Sequence, residues 1–141
     1  MRYIIMLLFL SFSLHLGAQQ ERHTKIKSAK IAYMTKELDL SPSESEVFWP
    51  LYNKYQEEKS GLYKKHKASF NDLSLVSDEE ADQMIEDLMD YQRNQYELSE
   101  QFFRDLRDIF PARKVLKFHK ADREFKRELL RKAKKKRKTE E

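Results

Sequence analysis

The sequence predicts an all-α fold of four helices, two of them long, and three observations carry that prediction. Glycine is scarce: the 141 residues hold two, and only Gly61 lies beyond the first 18. Phosphate-cradling loops and nucleophile elbows depend on glycine, so a P-loop, a G-x-G-x-x-G turn and a G-x-S-x-G elbow are excluded. Two serine-led capping boxes mark helix starts, and a heptad pattern runs through residues 84–110. There is no cysteine, which removes disulfides, thiolate metal sites and thiol nucleophiles. What remains is a helical, non-catalytic chain whose function must lie in its surfaces.

The elements follow in order. Met1-Arg2-Tyr3 gives a short positive start, and Ile4 to Leu16 is an apolar run broken by Ser11, Ser13 and His15. Gly17-Ala18 then precedes Gln19-Gln20, so 1–18 reads as a cleaved signal peptide. The run is too short to cross a membrane, which takes roughly 20 apolar residues. An exported, periplasmic chain starting at Gln19 is expected. The first helix, Lys25 to about Leu38, sets Ile26, Ala29, Tyr33 and Leu38 on one side. Ser41-Pro42-Ser43-Glu44 is a capping box with proline at the first helical position. The second helix runs to about Phe70, with Phe48, Tyr52, Tyr55, Leu62 and His66 on one broad face. Pro50 removes one backbone hydrogen bond inside it, which predicts a kink. A short connection leads to the box Ser77-Asp78-Glu79-Glu80 and the third helix, which ends near Ile109. Pro111 opens the fourth, where Val115, Phe118, Asp122, Phe125 and Leu129 recur at helical steps.

The third helix holds the clearest pattern. Four heptad columns are largely apolar: Met84-Tyr91-Leu98, Leu88-Gln95-Phe102-Ile109, Ile85-Gln92-Ser99-Leu106 and Met89-Tyr96-Phe103-Phe110. Together they span about 150°, wider than a two-stranded seam needs. One seam packs on the second helix, and the excess must meet another helix, a second subunit or a client. The expected partner and dimer surface comprises Phe48, Trp49 and Tyr52 near the bend, with Met89, Tyr96, Phe103 and Phe110 from the edge column. Tyr96 and Phe103 are its strongest candidates, and a homodimer with antiparallel long helices is the expected state.

Charge divides unevenly. Residues 131–138 hold seven cations in eight positions, while 19–130 hold 20 basic and 22 acidic residues. The basic pI therefore belongs to a C-terminal tail, 131–141, following a helical domain over 19–130. Such a cluster suits anionic lipid headgroups or acidic protein, and export makes nucleic acid an unsuitable partner. The histidines beyond 18 are His23, His66 and His119, with no pair spaced to share a metal on one helix face. His119 and Asp122 supply at most half a metal site. The acids Asp78, Glu79 and Glu80 read as helix N-terminal charges, so no catalytic residue and no cofactor is expected.

Leu40-Ser41-Pro42-Ser43-Glu44 resembles the L-T-x-x-Q motif of the Spy/CpxP-like periplasmic proteins, with Ser for Thr and Glu for Gln. Ile109-Phe110-Pro111-Ala112-Arg113 sits where that family carries its second copy, keeping the hydrophobic residue and Pro111. The stretches Phe48-Trp49-Pro50-Leu51-Tyr52-Asn53 and Glu124-Phe125-Lys126-Arg127-Glu128-Leu129-Leu130 are similar to a branch described as sensors of ECF-type sigma factors. The likeness covers about 26–130. It implies a bent, elongated helical hairpin that pairs into a cradle-shaped dimer. It also implies an envelope-stress role, chaperone-like or regulatory, toward unfolded envelope proteins or a membrane-bound sensor or anti-sigma partner. The alternative it implies is a periplasmic metal or ligand sensor in an ECF sigma factor pathway.

Overall fold

A computed structural model describes residues 21, 24–68, 73 and 76–139. The expected signal peptide over 1–18, His23 and most of the connection after the second helix lie outside the described residues. Every regular element among the described residues is helical: α1 (24–38), α2 (Pro42–Ala68), α3 (Asp78–Ile109) and α4 (Ala112–Thr139). The all-α class expected from the sequence is therefore the observed one.

Local chemistry sets each boundary. α1 ends where Asp39 takes a left-handed conformation at φ 49°, its amide donating to the Lys36 carbonyl at 3.2 Å. A short polar side chain tolerates that conformation better than most residues do. At the start of α2 the Ser41 amide donates to Glu44 Oε2 at 2.9 Å, and the Glu44 amide donates to Ser41 Oγ at 3.2 Å. The same reciprocal pair caps α3, between Ser77 and Glu80. Both boxes form as the sequence predicts. α2 continues as a helix through Pro50. Phe110 is extended, φ −133° and ψ 149°, as a residue before proline prefers. That extended residue separates α3 from α4, and the Pro111 carbonyl then accepts from the amides of Lys114 and Val115.

The described residues divide into two units where the sequence suggested one body over 19–130: Leu40–Leu116, and the residues up to Asp39 together with those from Lys117. In the first, α2 and α3 pack antiparallel on an aromatic seam. Tyr55 stacks on Phe102 at 4.1 Å and 5°, and His66 stacks on Tyr91 at 4.1 Å and 6°. Phe48 meets Phe110 at 6.0 Å, and the core there is Phe48, Tyr52, Phe102, Leu106, Phe110 and Val115. In the second unit, α1 and the larger part of α4 bury Met34, Leu38, Phe118, Ala121 and Phe125. Tyr33 packs against Phe125 at 5.5 Å.

One boundary moves. The basic segment 131–138 is not a tail after the last helix but part of it, since α4 runs to Thr139. Lys, Arg and Ala are strong helix formers, and cations favour the C-terminal end of a helix. The Thr139 hydroxyl closes the end by donating to the Lys135 and Lys136 carbonyls at 2.9 and 3.0 Å.

Candidate functional site

The antiparallel pairing decides which apolar columns of α3 are used up. Tyr91, Phe102 and Ser99 face α2; the Ser99 and Tyr55 hydroxyls lie 3.3 Å apart, and Ser99 donates to the Gln95 carbonyl at 2.7 Å. The edge stripe is left over. Ile85, Met89 and Tyr96 are 52, 46 and 67% exposed, at steps of four and seven residues that hold one line along the helix. Phe103, one heptad further, is half-buried beside Phe102.

The expected partner surface is thereby corrected. Phe48, Tyr52 and Phe110 are buried, at 0, 5 and 4% exposure, and serve the core rather than a docking face. Trp49 is half-buried, edge-on to Phe48 at 4.9 Å and to Tyr52 at 5.7 Å. Met89 and Tyr96 remain exposed as a surface role requires. Ile85 belongs with them, and its place in a column with Gln92 and Ser99 hid it in the sequence.

The charge around the stripe is acidic. α3 carries eleven Asp and Glu residues against three Arg. On one flank of the stripe, Asp82, Glu86 and Glu97 make no ion pair among the described residues, whereas Asp90 pairs with Arg93 at 2.9 Å and Glu100 with Arg104 at 2.7 Å. The site is thus a row of three large apolar side chains edged by uncompensated carboxylates. Apolar contact and negative charge are therefore presented side by side on this face of α3.

The residues that suggested half a metal site have another occupation. The Asp122 carboxylate, 14% exposed, receives Lys30 Nζ at 2.8 Å and Lys126 Nζ at 2.5 Å. Burial raises its pKa, but hydrogen bonds from Lys126 and Lys30 outweigh that and hold it below the usual carboxylate range. A cation at Asp122 would have to displace two ammonium groups, and His119 lies exposed on α4. Among the described residues no cluster of three or more His, Asp or Glu could hold a metal ion.

The motif residues come together differently. Leu40 and Ser41 precede α2, and Pro111 precedes α4. Glu44 joins the two ends: its Oε1 accepts from Lys114 Nζ at 2.6 Å while its Oε2 caps α2. The Lys114 ammonium also lies 5.1 Å from the centre of the Phe110 ring.

Comparison of the chain with protein-family models, with curated proteins and with solved structures returns no match. Among the described residues no helix is long and apolar enough to cross a membrane.

Proposed function

We propose that this is a non-enzymatic, exported envelope protein, acting in the periplasm, that holds exposed apolar segments of other proteins on the outer stripe of α3. Its role is chaperone-like or regulatory, and its occupants are unfolded envelope proteins or a membrane-bound sensor or anti-sigma partner. The observation that supports this is the line Ile85, Met89 and Tyr96, exposed on α3 while Tyr91, Phe102 and Ser99 face α2. Single exposed apolar residues are ordinary, but three on one helical line are not. The unpaired Asp82, Glu86 and Glu97 favour segments that carry Lys or Arg beside their apolar residues. The leader-like 1–18 and the resemblance of 40–44 to the L-T-x-x-Q motif support the compartment.

Aggregation of a reduced, unfolding test protein, followed by light scattering without ATP, tests the reading. Wild type should suppress aggregation at near-stoichiometric ratios, and Met89→Ser with Tyr96→Ser should lose most of that effect with helicity retained. Absence of suppression, together with stabilisation by one divalent ion at micromolar concentration, would favour the sensor reading instead.

A further inference from the structure

The distal part of α4 is the feature that the α3 stripe does not explain. From Lys126 to Lys138 it carries nine Lys and Arg against one Glu, and every residue from 131 to 139 is exposed. Lys126 is held by Asp122, Arg127 lies 3.9 Å from Glu124, and Arg131 and Lys132 pair with Glu128 at 2.8 and 3.8 Å. Lys134, Lys135, Arg137 and Lys138 make no ion pair with any described carboxylate. Because the segment is helical, Arg131 stands over Lys135 and Lys134 over Lys138, four residues apart. Like charges at that spacing oppose the helix. An anionic surface would relieve the repulsion.

We propose that α4 from Lys126 to Lys138 docks on an anionic lipid surface. The segment's composition selects that occupant over others. Beyond Leu130 its largest apolar side chain is that of Ala133, so it offers charge all round and no apolar core for a shaped protein interface. It contains no aromatic ring on which a single-stranded base could stack, and an exported chain, as proposed above, is kept from duplex nucleic acid. A headgroup layer asks only for charge and a helix lying flat, about 20 Å long here at 1.5 Å per residue. Leu130 supplies the one apolar anchor: it is 66% exposed and lies one turn from Arg127 and Lys134. One apolar side chain set among cations adds a small apolar contribution to what is chiefly an electrostatic attachment. This docking is independent of the α3 stripe.

The test is co-sedimentation of the full chain with vesicles of phosphatidylcholine alone or mixed equally with phosphatidylglycerol. The apolar run of 1–18 contributes to both vesicle types, so the readout is the ratio of the two partition coefficients. At low salt that ratio should exceed about 100 and fall at least tenfold in 0.5 M salt. Each cation near such a surface contributes roughly a fivefold factor. A variant with Lys134, Lys135, Arg137 and Lys138 all changed to Gln should therefore lose at least fiftyfold of the ratio, with its circular dichroism showing that the chain still folds. Leu130→Gln should lower binding to both vesicle types by a smaller, salt-independent factor. Equal partitioning to the two vesicle types would overturn the proposal. So would an undiminished ratio in the four-site variant, or binding to a 20-base-pair duplex in preference to anionic vesicles.

Discussion

Glu44 and Lys114 lie 70 residues apart in sequence and 2.6 Å apart in space. One carboxylate thus caps α2 with one oxygen and grips the first turn of α4 with the other. The Lys114 hydrogen bond first, then the Ser41 amide, holds the Glu44 carboxyl below its ordinary range. A depressed carboxylate contributes stability above its unfolded value, near 4.5, and that contribution is lost as pH falls through the lower native value.

The first prediction follows from that sign. Glu44→Gln should melt a few degrees below wild type at pH 7, because the Lys114 pair goes while the cap is only weakened. The difference should shrink steadily as pH drops below the unfolded value. Thermal melts by circular dichroism at several pH values check it, and a difference that grows in acid would contradict the assignment.

The second prediction concerns Asp122, where one partly buried carboxylate serves two lysines. Asp122→Asn should destabilise by about 1–2 kcal/mol, less than the 3–5 of a fully buried pair because solvent screens part of the interaction. Lys30→Met should cost less, since Lys126 remains. In a double-mutant cycle, Asp122 and Lys30 should couple by more than about 0.5 kcal/mol. Urea unfolding of the four proteins measures this, and additivity would show that the pair is only a surface contact.

Much of this architecture was legible in the sequence, and the rest was hidden for identifiable reasons. Ser41 with Glu44 and Ser77 with Glu80 are local devices, and both form. The width of the α3 apolar arc was legible too. Its division was not, because which columns α2 covers depends on how two helices settle against each other. Phe48, Tyr52 and Phe110 therefore passed for surface although they are core. Asp122 gave a signal that went unread: an acid inside the stripe Val115, Phe118, Phe125 and Leu129 calls for a cation, and Lys30 on α1 provides it. In 131–138 the run of charge masked strong helix propensity.

The third prediction tests the acidic flank of the α3 stripe. With a peptide that carries both aromatic residues and Lys or Arg, binding should weaken several-fold between 50 and 500 mM salt, since exposed charge pairs are screened over a Debye length. Glu86→Gln with Glu97→Gln should remove most of that salt dependence and leave the apolar contribution of Tyr96 in place. Isothermal titration at the two salt concentrations separates the two terms. A salt-independent affinity would assign recognition to the apolar stripe alone.

The export reading carries a fourth. If 1–18 is a leader, the native protein purified from its own cell envelope should have the mass of a chain starting at Gln19. Intact-mass measurement decides the point directly. A mass that retains 1–18 would remove the basis for the periplasmic assignment and return nucleic acid to the possible anions for α4.

The last prediction joins the stripe to self-association. A homodimer built by packing α3 antiparallel on α3 would bury Ile85, Met89 and Tyr96 of both copies, which supplies apolar area. It would also bring together two helices that each carry eleven acids against three Arg. Coulomb repulsion then opposes what the apolar contact favours, and salt screens only the repulsion. Dimerisation through this face should therefore strengthen as salt rises from 50 to 500 mM, opposite to the peptide affinity of the same surface. Tyr96→Ser should abolish it, since a fully buried aromatic contributes about 1.5–3 kcal/mol per copy. Sedimentation equilibrium at the two salt concentrations distinguishes the cases. A dimer that weakens with salt would instead have paired the acidic α3 of one copy with the basic α4 of the other, a contact that Tyr96→Ser would leave largely intact and the four-site α4 variant would break.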